Sequence, residues 1–152
     1  MSRIYFAGPP PFSTELYLRL MKGRRVLVAW GEHNRRCYRQ GQFESVVLDS
    51  GAYSAFFRGK PLDVDCYLEY LLAHGHEYEW YAAPDVIGDH EATVANYRRA
   101  KDMGLDPVPV FHGNEPVEIL DMYRDECELV ALGSAPGQSS KERWKWFERV
   151  FS

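Results

Sequence analysis

Short apolar runs alternate with longer amphipathic ones along the whole chain, a pattern that predicts repeated βα units around a parallel sheet. Six such units are expected, with strands at Arg3 to Ala7, Arg25 to Trp30, Ser45 to Asp49, Tyr78 to Ala83, Val108 to Phe111 and Leu129 to Leu132. The helices between and after them are expected at about Ser13 to Lys22, Glu32 to Gln40, Asp63 to His74, Asp89 to Met103, Glu115 to Tyr123 and Ser140 to Phe151. Behind an Asp63 cap, Val64, Tyr67, Leu68, Leu71 and Leu72 recur at helical spacing. Asp89 is placed to cap the fourth helix and Gly104 to end it. Ser139-Ser140-Lys141-Glu142 reads as a capping box, and it opens a helix in which Trp144, Phe147 and Phe151 share a stripe. No fixed-period repeat, linker or change of composition marks a second domain, so residues 1–152 are read as one.

Polar residues gather where these strands end. The apolar run Ser45-Val46-Val47-Leu48 stops at Asp49-Ser50-Gly51, the fourth strand runs into Pro84-Asp85, the fifth into His112-Gly113-Asn114 and the sixth into Gly133-Ser134. The C-terminal ends of parallel strands converge on one face, where α/β proteins keep their chemistry. Each residue alone has an ordinary loop explanation, and Asp49 in particular can serve an Asx turn or a helix cap. Two acids, a histidine and glycines at corresponding strand ends together favour a site. Pro9-Pro10-Pro11 adds a stiff connection after the first strand.

Composition narrows the classes. The chain has 152 residues, 45% of them hydrophobic, in keeping with a globular core. It lacks both the run of about 18 apolar residues that would span a membrane and a signal-peptide pattern, so a cytoplasmic protein without membrane partners is expected. Cys37, Cys66 and Cys127 are widely spaced and form no CxxC pair, which argues for thiols rather than a disulfide framework or a zinc site. A formal charge of −4 argues against a whole-surface nucleic-acid footprint, although basic clusters occur at Arg19 to Arg25, Arg35 to Arg39 and Lys141 to Arg149. Phosphate-binding loops and the GxSxG elbow are absent. A metal set of Asp49, Asp85 and His112 is an open alternative, without HxxxH or HExxH spacing, and His74 and His76 lie away from the strand ends.

Four segments taken together, Leu48-Asp49-Ser50-Gly51-Ala52-Tyr53, Ala83-Pro84-Asp85, Val110-Phe111-His112-Gly113 and Val130-Ala131-Leu132-Gly133-Ser134, resemble successive strand ends of the queuine and archaeosine tRNA-guanine transglycosylases. The likeness is closer to short phage-associated relatives of that (β/α)8 superfamily, and it covers roughly residues 45 to 134. It implies a TIM-barrel-like fold. Asp49, in the place of the family's DSGG[FY]Q aspartate, would be the catalytic acid near the reacting base, with Ser50 and Gly51 shaping its loop. Asp85 would hydrogen-bond the Watson–Crick edge of a guanine-like base. His112 and Gly113 would stand for a Gln-Gly pair that contacts the base, and Gly133 with Ser134 for a Gly-Gly segment.

The departures set limits. His112 replaces glutamine, Ala52 replaces the second glycine, and neither the family's nucleophilic aspartate nor its cysteine zinc site has a counterpart. A complete barrel typically needs about 250 residues. The expectation is therefore an incomplete (β/α)8 barrel lacking the last two units, either open, completed by a second copy, or part of a longer product. Tyr5 and Phe6 at one edge and Trp144, Trp146 and Phe147 near the other would form the surface between copies, unless they are core. The expected function is binding, with exchange left open, of a guanine or 7-deazaguanine base, free or in tRNA or DNA, with no cofactor. The alternatives are a non-catalytic purine-binding module and a metal-dependent hydrolase.

Overall fold

The computed structural model of the chain describes residues 3–7, 14–31, 42–133 and 137–151. The helix expected at Glu32 to Gln40, Cys37, the Arg35 to Arg39 cluster, Pro9-Pro10-Pro11 and Ser134 lie outside the described residues.

Within them the architecture is mixed α/β. The elements are β1 (Phe6–Ala7), α1 (Thr14–Met21), β2 (Arg25–Ala29), β3 (Ser45–Asp49), α2 (Ala52–Phe57), α3 (Val64–His74), β4 (Trp80–Tyr81), α4 (His90–Asp102), β5 (Val110–His112), α5 (Val117–Glu126), β6 (Ala131–Gly133) and α6 (Ser140–Val150). All pairings are parallel, in the order β1-β2-β3-β4 and β5-β6. The strands thus lie side by side in the order of the chain. Their C-terminal ends all open on one face.

Between β4 and β5 the ladder is reduced to one position, Ala82 opposite Val108. The cause is in the sequence, because Pro107 and Pro109 flank Val108 and neither has an N–H to donate. Val108 alone bonds on both sides, donating to Tyr81 O and accepting from Ala83 N–H, each at 2.8 Å. The strand expected from Val108 is thereby broken, and regular pairing resumes at Val110.

This seam separates two apolar clusters. Val26, Val28, Val46, Leu48, Tyr67, Leu68 and Leu71 pack beneath β2, β3 and α3. Phe111, Tyr97, Leu120, Tyr123 and Trp146 pack around β5. The helix α4 contributes to both, through Ala100 on one side and Tyr97 on the other.

Helix capping follows the sequence closely. Asp63 and Asp89 accept from the amides of Cys66 and Ala92, and Ser139 and Glu142 form the reciprocal capping box. The α3 stripe is buried as expected at Tyr67, Leu68 and Leu71 and departs at its end, whereas the α6 stripe is rotated. In α3 Leu72 is exposed and Tyr70 is buried instead, its hydroxyl 2.6 Å from that of Tyr78. In α6 Trp144 and Phe151 are exposed, whereas Trp146 is core and stacks on Phe111. Of the aromatics expected at a surface between copies, Trp146 therefore belongs to the interior; Phe6 is exposed. Cys66 is exposed and Cys127 half-buried, both as free thiols. Among the described residues no helix is long and apolar enough to cross a membrane.

Candidate functional site

The chain turns sharply out of β3. Asp49 Oδ2 accepts from the Gly51 amide at 3.0 Å, an Asx turn, and the Ser50 hydroxyl accepts from the Ala52 amide at 3.2 Å. Gly51 has φ +79°, and a Cβ there would stand 2.8 Å from the Trp30 carbonyl, so both conformation and space require glycine. The short helix α2, which the strand pattern does not announce, starts immediately after this turn.

The same turn also delivers side chains to a buried polar chain. Ser50 Oγ donates to Asp85 Oδ1 at 2.5 Å. Asp85 Oδ2 lies 3.3 Å from His112 Nε2. On its other side, His112 Nδ1 lies 3.1 Å from Glu115 Oε1, while Glu115 Oε2 accepts the His112 main-chain N–H at 3.0 Å. Ser50, Asp85, His112 and Glu115 are all buried, from 1% to 7% exposed, so the chain is held away from water. Gly133 makes room for it: a Cβ there would come within 2.7 Å of His112 Cδ2. Gly113 follows in the turn between His112 and Glu115.

Burial and charge act in opposite directions on His112. Loss of water disfavours its charged form, but hydrogen bonds and charge from Asp85 and Glu115 prevail and raise its pKa to about 9. The ring is an imidazolium between two carboxylates at neutral pH. Asp49 is raised above the usual carboxylate value, first by burial and then by the charge of Asp85, against the opposing pull of the Gly51 amide and of His112. Among the described residues Asp49 reaches neither Asp85 nor His112 by a hydrogen bond, so it belongs to the site through its field and position. Below them Tyr67, wholly buried, donates its hydroxyl to Ala82 O at 2.8 Å.

Asp85 opens onto a cavity of about 380 Å³ whose other walls include Ala52, Phe56, Pro61, Leu62, Val86 and Ile87. This is the size and the mostly apolar lining that small-molecule sites share. Each Asp85 oxygen faces one protein donor, and a carboxylate offers about four acceptor positions, so capacity remains for a ligand. A metal is poorly served. Both His112 nitrogens face carboxylates, and among the described residues no group of three or more His, Cys, Asp or Glu is arranged to hold an ion. The metal-hydrolase alternative has no ligand set there.

The structure thus brings Ser50, Asp85, His112 and Gly133 into contact, with Asp49, Gly51 and Gly113 in the turns that frame them. The residue pattern predicts a helix from Glu115, yet this side chain turns back and the helix begins only at Val117. The available signal was its place three residues after His112, the distance of a tight turn, which the Glu115 amide closes on the His112 carbonyl at 3.1 Å. Comparison with family models, with curated proteins and with solved structures found no match to this chain.

Proposed function

We propose that this site binds a guanine or 7-deazaguanine base, in the manner of the transglycosylases that its strand-end segments resemble. The observation that carries the reading is Asp85. It is a carboxylate fixed by a donor on each oxygen, at the wall of a mostly apolar cavity. Such a group suits a flat ligand that presents two adjacent N–H donors, as guanine does with its N1 and exocyclic amino group. The parallel strands in chain order, with the polar residues at their C-terminal ends, support the further reading of a (β/α)8-type barrel.

A base carried by a polynucleotide is favoured over a free one by the rim. Tyr53, Phe56 and Phe57 on α2 are more than half exposed, at 52%, 51% and 62%, and Arg58 and Lys60 follow them directly. Exposed aromatics beside cations are what single-stranded nucleic acids stack upon. Exchange of the base needs a nucleophile as well, and the reading is for binding, which Asp85 carries at the cavity wall.

Calorimetry with guanine, 7-deazaguanine and adenine tests it. Guanine and 7-deazaguanine are expected to bind, adenine to bind at least about tenfold more weakly, and Asp85→Asn to remove the difference. Equal affinity for all three bases, or guanine binding indifferent to Asp85→Asn, overturns the proposal.

A further inference from the structure

We infer that Glu115 is a positioning residue of this site, clasping the main chain and the ring of His112 at once and so aiming the far ring nitrogen at Asp85. This deepens the proposed function, since it rests on Asp85 as the ligand's acceptor. The geometry is a closed clasp. One Glu115 oxygen takes the His112 amide and the other faces Nδ1, across a turn of three residues. The ring edge carrying Cδ2 and Nε2 occupies the space that a side chain at position 133 would take, so only glycine there admits the ring in this orientation. With Nδ1 facing one carboxylate and Nε2 facing another, only the doubly protonated ring avoids setting a lone pair against an anion.

The groups acting on His112 come from three places. Asp85 stands after β4, Glu115 in the turn after β5, and Asp49 at the end of β3, near enough for its charge to be coupled to the ring. The Tyr123 hydroxyl on α5 also feels the Glu115 charge and is pushed well above its ordinary pKa, chiefly by burial. Asp85 then keeps one oxygen on Ser50 and the other on His112, and its plane cannot turn. Without the clasp, a neutral ring would present a lone pair to Asp85 in one of its tautomers, and the acceptor would lose its fixed orientation.

A residue that merely closed the turn would act through shape alone, and Glu115→Gln separates the two roles. The amide can still accept from the His112 N–H but carries no charge. Ring titration of His112 by NMR, with His112→Gln to assign the signal, is expected near pH 9 in the ligand-free protein. In Glu115→Gln the proton affinity should fall at least about tenfold, and guanine affinity should then drop at least about twofold between pH 6 and pH 8, where the wild type stays level. Glu115→Asp keeps the charge but shortens the reach, so His112 should remain charged while guanine binding weakens. An unchanged His112 titration in Glu115→Gln overturns the inference. If the titration moves as expected while the wild type binds no guanine, the clasp is established and the proposed function falls.

Discussion

At the N-terminal end of the sheet Arg3 pairs with Glu79 and Arg25 with Glu44, in side chains that keep from 24% to 60% of their surface in water. At the C-terminal end His112 pairs with Asp85 and Glu115, and there no side chain keeps more than 9%. Each end sets a nitrogen base against carboxylates, arginine at one and histidine at the other. What differs is the solvent around them, and that decides what they can do. Exposed pairs exchange one set of hydrogen bonds for another and contribute little. Buried ones must be satisfied by the protein or by a ligand, and the protein must hold them in place against the cost of removing them from water.

Removing one partner at each end should expose this contrast most strongly. Asp85→Ala leaves the buried imidazolium with one carboxylate fewer and is expected to destabilise the fold by about 4 kcal/mol, against less than about 1 kcal/mol for Glu44→Gln, both read by urea unfolding. Similar values at the two ends would remove the distinction.

The buried end should also carry a pH signature. His112 is raised in the folded state to about 9 from an ordinary value near 6.5. Its contribution is therefore fully present below about pH 6.5 and is lost as the pH climbs through 9, on the order of 3 kcal/mol in all. Unfolding curves from pH 6 to pH 10 check this, and in His112→Gln that part of the slope should vanish.

A smaller effect, about 2 kcal/mol, is expected of Gly133→Ala, because the added methyl meets the His112 ring edge and the ring must shift. A moved His112 NMR signal would accompany the loss of stability. If the signal stays where it was, the ring is not held there.

The smallest expected effect has the opposite sign. Asp49 is buried with its pKa raised, so ionising it works against the folded state as pH rises past its folded value. Asp49→Asn should give a small increase in Tm at pH 7 that disappears in acid, measured by scanning calorimetry. This would place Asp49 among residues kept for a task rather than for stability.

Much of the frame was legible in the residue pattern. The β3 limits Ser45 and Asp49, the caps Asp63 and Asp89 and the Ser139–Glu142 box are where alternation and capping chemistry put them. Helix phase was less legible. In α3 the pairing of Tyr70 with Tyr78 widens the buried stripe, and in α6 the stacking of Trp146 on Phe111 turns the helix, contacts that spacing alone does not encode. At the site, Asp85 and His112 stood out as polar residues at strand ends. Glu115 did not, because a glutamate after a turn looks like the first residue of a helix until its side chain is seen reaching backwards.

The proline-bounded seam gives the site a mechanical character. Asp49 and Ser50 stand on one side of it and His112 and Glu115 on the other, and Asp85 is the link between them. Opening of the sheet at its thinnest join would therefore part Asp85, at the cavity wall, from His112 across the seam. A ligand that holds Asp85 would steady that contact, and the Val108 amide, lone donor between two prolines, would report it as slowed exchange with solvent.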